Sequence, residues 1–351
     1  MIIDSFTINN ESPVFIIAEL SANHNGSIIT AIETIKAAKR AGADCIKLQT
    51  YTADTLTIDC NKEDFIVKSG SIWDGKTYYE LYQEAYTPWE WHKELMQIAK
   101  EEGLICFSSP FDKTAVDFLE NLNVPAYKIA SFEITDIPLI EYVASKGKPI
   151  IISTGIAEIA DIELALDACH RMGNNNIALL KCTSSYPAPI EEANMCMVKD
   201  LAERFKVVTG LSDHTMGSTV PVVATCFGAK IIEKHFILNH SIGGPDASFS
   251  MDEKEFTEMV KAVREAEKAI GVVDYTLTDK QVKGKDFCRS LYVVEDIKAG
   301  EVITEKNVRS IRPGFGLHPK HIKDIIGKTV NQNIQKGTPI GMELIDVKLN
   351  N

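Results

Sequence analysis

The stretch of sequence that decides the fold runs from Val207 to Phe236 and reads VVTGLSDHTMGSTVPVVATCFGAKIIEKHF. It holds two short apolar runs, Val207–Val208 and Ile231–Ile232, separated by a segment of helix length. Polar groups follow each run, namely Ser212-Asp213-His214 after the first and Glu233-Lys234-His235 after the second. Short, continuous apolar runs are typical of parallel strands that are buried on both faces. The stretch therefore predicts two strands of a parallel sheet joined by a helix.

The same pattern recurs towards the amino terminus. Six further apolar runs precede the stretch, at Val14–Ala18, Cys45–Leu48, Leu104–Phe107, Ala126–Ala130, Pro149–Ile152 and Ile177–Leu180. Amphipathic segments of helix length separate them, and several end in a glycine stop such as Ala41-Gly42. Eight strand–helix units predict a (β/α)8 TIM barrel. An open doubly wound sheet is the alternative, and it is disfavoured because no GxGxxG fingerprint follows the first strand.

Polar groups follow all eight predicted strands. In a (β/α)8 barrel the active site lies at the carboxyl ends of the strands, so these groups are candidate site residues. A serine or threonine in such a position is also a typical helix N-cap. Recurrence after all eight strands favours a functional site.

Three segments that differ in composition and residue pattern indicate two domains joined by a linker. Residues 1–274 form the predicted TIM-barrel domain, which the helical pattern Asp252–Gly271 closes. Residues 275–288 are polar and are predicted to be a linker. Residues 289–351 form a predicted small β-rich module, with strands expected at Ser290–Val294, Val302–Ile303 and Val308–Ile311.

Composition excludes several classes of protein. The formal net charge of −12 argues against a nucleic-acid partner, which would require basic patches. No run approaches the ~20 apolar residues of a membrane span, and the amino terminus has no signal-peptide pattern. The eight cysteines form no CxxC pair and indicate free thiols in a reducing compartment. We therefore expect a cytoplasmic protein with no membrane partner.

Two histidines form a candidate metal site. His214 and His235 follow the last two predicted strands, which are neighbours in a barrel and end over the same opening. Neutral imidazole is a common ligand of Mn²⁺, Fe²⁺ and Zn²⁺, and Glu19, Glu233 or Asp246 could complete or orient the ligand shell. A histidine at a strand end can also be an ordinary hydrogen-bonded core residue.

Two lysines form a candidate anion site. Lys47 and Lys128 end the second and fourth predicted strands in apolar surroundings, and an unpaired buried ammonium costs several kcal/mol. A bound phosphate and carboxylate would supply the missing charge, and a Lys–Glu pair inside the barrel is the alternative. Hydroxyl groups that could assist are those of Ser109, Ser131, Ser153, Ser184 and Ser212.

An aromatic-rich segment lies between the second and third predicted strands. It is unusually long and contains Trp73, Tyr78, Tyr79, Tyr82, Tyr86 and Trp89. Long connections at the carboxyl end of a barrel commonly cover ligands, and aromatic faces suit a sugar or an acetamido methyl group. These rings could equally serve only to pack the insertion on the barrel.

The ordered motifs resemble the sialic acid (nonulosonate) synthase family. The segments that carry the resemblance are Ile17-Ala18-Glu19, Asn23-His24-Asn25-Gly26, Lys47-Leu48-Gln49-Thr50, Ser109-Pro110-Phe111-Asp112, Lys128-Ile129-Ala130-Ser131, Cys182-Thr183-Ser184-Ser185-Tyr186-Pro187, Gly210–His214, Glu233-Lys234-His235-Phe236, Gly244-Pro245-Asp246 and Arg289-Ser290-Leu291. The terminal module, with Arg312-Pro313-Gly314 and Gly316, resembles the antifreeze-like (SAF) domain that ends these enzymes.

The resemblance implies a phosphoenolpyruvate-condensing synthase with a divalent metal, Mn²⁺ or Mg²⁺, on His214 and His235. It implies Glu19 and Glu233 as catalytic groups. It implies phosphoenolpyruvate binding by Lys47, Ser109, Lys128, Ser131, Ser153, Ser184 and Ser212. It implies binding of an acetamido sugar by Gln49, Glu133, Tyr186 and Asp246, with Arg312 supplied by the partner subunit of a domain-swapped homodimer.

Local departures within the family bear on the acceptor sugar. Family members that use N-acetylmannosamine usually have glycine where this chain has Ser21, and asparagine where it has Ser184. The segments around Glu19, Gln49 and Trp73 are more similar to members that use 2,4-diacetamido-2,4,6-trideoxy-L-altrose. Synthesis of N-acetylneuraminate or legionaminate is the alternative. More distant alternatives are a synthase of seven- or eight-carbon keto acids and a non-catalytic sugar-binding protein.

Overall fold

The computed structural model describes residues 1–68, 70 and 72–346. The chain divides after Gly271 into two compact units, Met1–Gly271 and Val272–Asn351. The predicted role of residues 275–288 as a linker stays a prediction. Within that segment, residues Asp279–Gly284 form a short helix.

The first unit is a closed barrel of eight parallel strands, which confirms the predicted TIM barrel. An antiparallel pair, β1 (Ile2–Ile3) and β2 (Phe6–Thr7), precedes it. The last barrel strand pairs with the first and closes the ring. The barrel strands are β3 (Phe15–Glu19), β4 (Cys45–Thr50), β5 (Ile105–Pro110), β6 (Tyr127–Ile129), β7 (Ile150–Ser153), β8 (Ile177–Cys182), β9 (Val208–Asp213) and β10 (Ile231–His235).

Helices surround the barrel and connect its strands. The described segments of this unit contain α1 (Ile28–Arg40), α2 (Ala53–Leu56), α3 (Tyr78–Ala85), α4 (His92–Glu101), α5 (Lys113–Asn121), α6 (Ile137–Ala144), α7 (Ile159–Arg171), α8 (Cys196–Phe205), α9 (Thr219–Cys226) and α10 (Glu253–Ile270). The long α10 begins with a capping box between Asp252 and Glu255, which satisfies backbone N–H groups of its first turn. No helix in the described ranges combines the length and hydrophobicity needed to cross a bilayer.

The period of two along each strand separates the barrel interior from the helix-facing side. In β3, Phe15 and Ile17 belong to a cluster with Ile151 and Leu180, whereas Ile16 and Ala18 pack in a different cluster with helical residues. Because alternate side chains point to opposite faces of a strand, Glu19 continues the inward series of β3. The same alternation sends Lys47 and Gln49 of β4, and Glu233 and His235 of β10, to the inside.

The amino-terminal hairpin packs against the amino ends of the barrel strands. Ile3 and Ile8 are fully buried in the same cluster as Phe15 and Ile231. Apolar residues therefore fill the lower part of the barrel, and the polar groups lie at the carboxyl ends of the strands. The candidate site residues that end these strands therefore lie at that one face of the barrel.

The second unit has its own small core. Strands β11 (Ser290–Val293) and β12 (Val308–Ile311) pair antiparallel, and the helices are α11 (Asp279–Gly284) and α12 (Ile322–Ile325). Leu291, Val308 and Ile340 are among its buried residues. The predicted strand at Val302–Ile303 is wrong, because Val302 forms only an isolated bridge with Thr329.

Candidate active site

A cavity of about 480 Å³ opens at the carboxyl ends of the barrel strands. The register pairs Glu19 with Lys47 and with His235 across adjacent strands, so these side chains enter the cavity from one side. The residues predicted from sequence that line this cavity are Glu19, Lys47, Gln49, Lys128, Ser131, Glu133, Ser153, Tyr186, Ser212, His214, Glu233, His235 and Asp246.

Three predicted residues do not line the cavity. The Ser109 hydroxyl accepts a hydrogen bond from Lys47 Nζ at 3.2 Å, so it contacts a lining residue. The Ser184 hydroxyl donates to Ser131 Oγ at 2.8 Å and holds that serine in the same way. Arg312 belongs to the second unit, where it is exposed directly after β12, and its role stays a prediction.

Lys47 forms the Lys–Glu pair that the sequence left open as an alternative. Its Nζ lies 2.8 Å from Glu19 Oε2 and 3.5 Å from Glu233 Oε1, and all three side chains are almost completely buried. Burial alone lowers the pKa of Lys47, but the two carboxylates outweigh it and raise that pKa. Lys47 is therefore a cation whose charge is already balanced.

Lys128 is a buried cation with a weaker counter-charge. Its Nζ donates to Ser153 Oγ at 2.7 Å and to the Ile129 carbonyl at 3.0 Å, whereas Glu233 Oε1 is 3.9 Å away. Burial lowers the pKa of Lys128 in spite of that carboxylate. An anion placed beside Lys128, Ser131 and Ser153 would restore the balance.

Glu233 and Glu19 differ in their protonation. Burial alone raises the pKa of Glu233, but Lys128 and Lys47 outweigh it and lower that pKa, so Glu233 is ionised. Ser212 also donates to Glu233 Oε1 at 3.3 Å. Burial raises the pKa of Glu19 to about 7, against the effect of Lys47. A carboxyl group that titrates near neutral pH is suited to proton transfer.

The two predicted histidines lie side by side. Their ring centroids are 5.2 Å apart, and the Tyr186 ring lies 4.4 Å from that of His214. The Nδ1 of His214 is 3.0 Å from the Thr183 carbonyl, so the neutral form of this ring carries its proton on Nδ1 and its lone pair on Nε2. Burial holds the pKa of His235 well below its ordinary value, so His235 is neutral.

The donor set fits a divalent metal between these imidazoles. His235 Nδ1 is buried and has no hydrogen-bond partner within the described ranges, and its distance of 3.9 Å to Asp246 Oδ2 is too long for one. A neutral imidazole with an unused nitrogen is a typical metal ligand. Two imidazoles favour a transition ion such as Mn²⁺ over Mg²⁺, which prefers oxygen ligands and water.

A second cluster of metal-binding residue types occurs outside the cavity. His240, Asp252 and Glu255 bring their ligand atoms within 4.8 Å of one another. These atoms already have structural partners, since His240 contacts Glu255 Oε2 and the Ala247 carbonyl, while Asp252 and Glu255 cap α10. The cluster is explained by the start of that helix.

The aromatic insertion forms an apolar wall of the cavity. Trp73 packs 5.5 Å from the Tyr186 ring, and its Nε1 donates to the Pro245 carbonyl at 3.1 Å. Among the other rings of the insertion, Tyr78 and Tyr82 line the cavity, Trp89 packs on Phe118, and the Tyr79 hydroxyl donates to Asp54. The wall also includes Leu56, Val67, Leu81, Ala85, Phe111 and Phe132.

Sequence reasoning missed several residues of the site. Phe249 packs against the ring of His235 at 5.0 Å and that of Tyr186 at 5.2 Å. A Cβ added to Gly155 would overlap the Ser184 and Ser131 hydroxyls, so only glycine fits there. Ser21 lines the cavity and contacts Asp246. Its left-handed backbone gives no signal in the sequence.

Asp213 directly precedes His214 but lies outside the site. Its side chain points away from the barrel interior, because side chains alternate along β9, and its carboxylate forms a buried ion pair with Lys234 Nζ at 2.5 Å. Its other oxygen accepts hydrogen bonds from the Thr215 backbone and hydroxyl. On the helix-facing side of the barrel, the Asp213–Lys234 ion pair connects the two segments that carry His214 and His235.

Two family models match the chain. The NeuB family model matches residues 34–275, and the SAF domain model matches residues 289–345. Together they span both units of the structure.

Individual relatives agree over nearly the full length. A pseudaminic acid synthase from Campylobacter jejuni is 49% identical over 94% of this chain and 96% of its own. One from Helicobacter pylori is 47% identical over 96% of this chain and 99% of its own. The crystal structure of spore coat polysaccharide biosynthesis protein SpsE from Bacillus subtilis aligns with a TM-score of 0.66 at 33% identity, covering 99% of both chains. The chain belongs to the NeuB family.

Proposed function

We propose that this protein condenses phosphoenolpyruvate with the open-chain form of 2,4-diacetamido-2,4,6-trideoxy-L-altrose and water, giving pseudaminic acid and phosphate. Pseudaminic acid synthase is the activity named for the two relatives that are 47% and 49% identical. The observation that carries the proposal is the meeting of the under-compensated Lys128 and the His214–His235 pair in one cavity.

Phosphoenolpyruvate supplies the counter-charge that Lys128 needs. Its phosphate or carboxylate beside Lys128 Nζ would also accept hydrogen bonds from Ser131 and Ser153, which lie in the same part of the cavity. Charge-assisted hydrogen bonds of this kind are about twice as strong as neutral ones. Lys47 adds a second cation to this lining, and Ser212 adds a further hydroxyl group. Ser109 and Ser184 act indirectly, through their hydrogen bonds with Lys47 and Ser131.

The His214 and His235 imidazoles would hold the divalent metal. When bound there, the ion supplies Lewis-acid polarisation of the sugar aldehyde. The low pKa of His235 keeps its ring available as a ligand at neutral pH. Phe249 and Tyr186 pack on the rings and restrict their rotation.

The carbon–carbon bond forms between C3 of phosphoenolpyruvate and the aldehyde carbon, whose oxygen takes up the proton that Glu19 carries in its protonated form. Positive charge then develops at C2, and the ionised Glu233 carboxylate lies between the two lysines to stabilise it. Glu19 accepts a proton from the water that adds to C2. The resulting tetrahedral carbon loses phosphate by cleavage of its C–O bond, and the C2 hydroxyl gives its proton to the leaving phosphate as it becomes the ketone.

Glu19 suits the base role because its pKa lies near neutral pH. Gln49 Nε2 donates to Glu19 Oε1 at 2.8 Å and fixes the orientation of that carboxyl group. The fixed geometry lowers the entropic cost of bringing water, enol and aldehyde together.

The acceptor sugar would contact Gln49, Glu133, Tyr186 and Asp246, and the apolar wall would receive its methyl groups. The trideoxy diacetamido sugar has a C6 methyl and two acetamido methyl groups, whereas N-acetylmannosamine has a hydroxyl group at C6. Buried hydroxyl groups without hydrogen-bond partners are costly. The wall formed by Val67, Leu81 and its neighbours therefore supports the deoxy sugar.

A homodimer in which the second unit of one subunit covers the cavity of the other, with Arg312 reaching the sugar, is part of the proposal. Large apolar side chains are exposed in the segment that begins the second unit, where Val273 and Tyr275 are 92% and 93% exposed. Further exposed apolar groups lie on the loops after four barrel strands, at Phe132, Ile156, Ile190 and Met216. Apolar side chains exposed on the loops at the carboxyl ends of the strands support a partner surface there.

The test is mass spectrometry of the products formed from phosphoenolpyruvate with each of two acceptors, the trideoxy diacetamido altrose and N-acetylmannosamine. We expect pseudaminic acid and phosphate with the first acceptor and little product with the second. Exclusive use of N-acetylmannosamine would assign the chain to the alternative, N-acetylneuraminate synthesis. Absence of phosphate release with any acetamido sugar in the presence of Mn²⁺ would overturn the proposal.

A further inference from the structure

Ser21 adopts a backbone conformation that serine disfavours. Its φ is +47°, in the left-handed region that favours glycine, asparagine and aspartate. Within the described ranges, the residues other than glycine with positive φ are Asp4, Ser21, Asn25, Asn123, Asn194 and Lys206. Ser21 is the buried one of this set, with 3% of its surface exposed. Strained residues that persist at a cavity are candidates for a function.

The Ser21 hydroxyl connects two residues of the cavity. It donates a hydrogen bond to Asp246 Oδ2 and accepts one from Gln49 Nε2 at 3.1 Å. The same Gln49 nitrogen donates to Glu19 Oε1 at 2.8 Å. Glycine would fit this backbone without strain but could make neither side-chain contact.

These contacts determine which hydrogen-bonding groups of Gln49 and Asp246 remain available to a ligand in the cavity. Both N–H groups of the Gln49 amide have partners, so the amide oxygen remains to accept a hydrogen bond. Asp246 uses Oδ2 for Ser21 and for the Ala22 backbone, and its second oxygen can accept another. Trp73 contacts the neighbouring Pro245, so hydrogen-bond acceptors and an apolar surface lie next to each other.

We propose that Ser21 is a positioning residue for the acceptor sugar, which holds Gln49 and Asp246 as hydrogen-bond acceptors for its acetamido groups. An acetamido group has an N–H donor beside a methyl group, which matches acceptors beside an apolar wall. This inference rests on the proposed function, since it concerns the sugar half of the same site. Phosphoenolpyruvate binds at the other half, around Lys128.

The test compares two substitutions at Ser21 with a matched control. Ser21→Ala removes the hydroxyl and keeps the strained backbone, whereas Ser21→Gly removes both. Lys206→Gly is the control because Lys206 is exposed, has a φ of +56° at the end of α8, and does not line the cavity. The rate of phosphate release is measured while each substrate is varied at saturation of the other, and melting temperature is measured for every variant.

We expect both Ser21 variants to raise the KM for the sugar about tenfold, equivalent to about 1.4 kcal/mol. The KM for phosphoenolpyruvate should stay within about twofold of wild type, because the Ser21 hydroxyl contacts Gln49 and Asp246 in the sugar half of the site. Ser21→Gly should melt above Ser21→Ala, and Lys206→Gly should leave both KM values unchanged. A merely structural role would change stability without separating the two KM values.

Four results would overturn the inference. A sugar KM within about twofold of wild type in both Ser21 variants, or an equal rise in both KM values, shows that the hydroxyl does not position the sugar. Failure of both variants to fold shows that Ser21 is structural. A wild-type protein inactive with every acetamido sugar refutes the proposed function and this inference together, whereas an active wild type with unaffected variants refutes this inference alone.

Discussion

The protonation of Glu133 allows a quantitative test of the cavity. Glu133 lines the cavity and is half-buried, and within the described ranges its Oε2 has no hydrogen-bond partner. Burial raises the pKa of this carboxyl group to about 7 from its ordinary value of 4.5. Because the pKa in the folded state is the higher one, the group favours the folded state below pH 4.5. That contribution is lost as the pH rises through 7.

The size of the effect follows from the shift. A difference of 2.5 pH units at 1.36 kcal/mol each is about 3 kcal/mol, which we reduce to about 2 kcal/mol because the open cavity admits water. Glu133→Gln keeps the shape of the side chain and cannot titrate. Between pH 5 and pH 8, the free energy of unfolding of the variant should therefore rise by about 2 kcal/mol relative to that of wild type.

Thermal melting at both pH values measures this gain. A difference of 2 kcal/mol corresponds to about 4–8 °C for a domain of this size, so the gap between variant and wild type should widen by that amount at pH 8. Glu163→Gln, which removes a carboxylate from the exposed face of α7, is the charge-matched control against which the Glu133→Gln gap is read. A Glu133→Gln gap that stays constant, or that narrows as the pH rises, would refute the reasoning.

Three further predictions concern the remaining groups of the site. His214→Ala should abolish metal-dependent phosphate release while circular dichroism stays unchanged, and full wild-type activity after chelation would contradict the metal role. Lys47→Met leaves Glu19 and Glu233 as neighbouring buried carboxylates and should cost about 3 kcal/mol of stability at pH 8. The loss should be smaller at pH 5, where Glu19 is protonated, and equal losses in thermal melts at both values would refute the pairing. Deletion of residues 290–351 should raise the KM for the sugar more than the dissociation constant for phosphoenolpyruvate, and an equal loss of both would contradict a shared site.

The barrel could be predicted because its signals are local. The apolar run of each strand and the polar residue at its end are adjacent in sequence, and the period of two then directs Lys47 and Glu233 to the same interior. Pairing partners across the cavity are less predictable from sequence. The sequence left open whether Lys47 pairs with a glutamate or with a bound anion, and the structure has the Lys47–Glu19 pair. The weaker charge compensation of Lys128 depends on its distance of 3.9 Å from Glu233, which the sequence does not give.

Other features could not be read from the sequence for physical reasons. The left-handed backbone of Ser21 and the close approach at Gly155 depend on the folded path of the chain. Asp213 precedes His214 directly, yet the alternation of β9 turns it towards Lys234 and away from the cavity. Polar composition gave no signal of the short helix Asp279–Gly284, which Thr278 caps.

The insertion between β4 and α4 has a consequence for the evolution of acceptor choice. The ionisable groups proposed for catalysis are attached to the barrel strands or directly follow them, whereas much of the apolar wall comes from this single excursion of the chain. Mutations in the excursion can therefore alter which sugar is accepted without disturbing the bond-forming groups. A lineage could diversify its nine-carbon products by remodelling one surface segment on an unchanged catalytic scaffold.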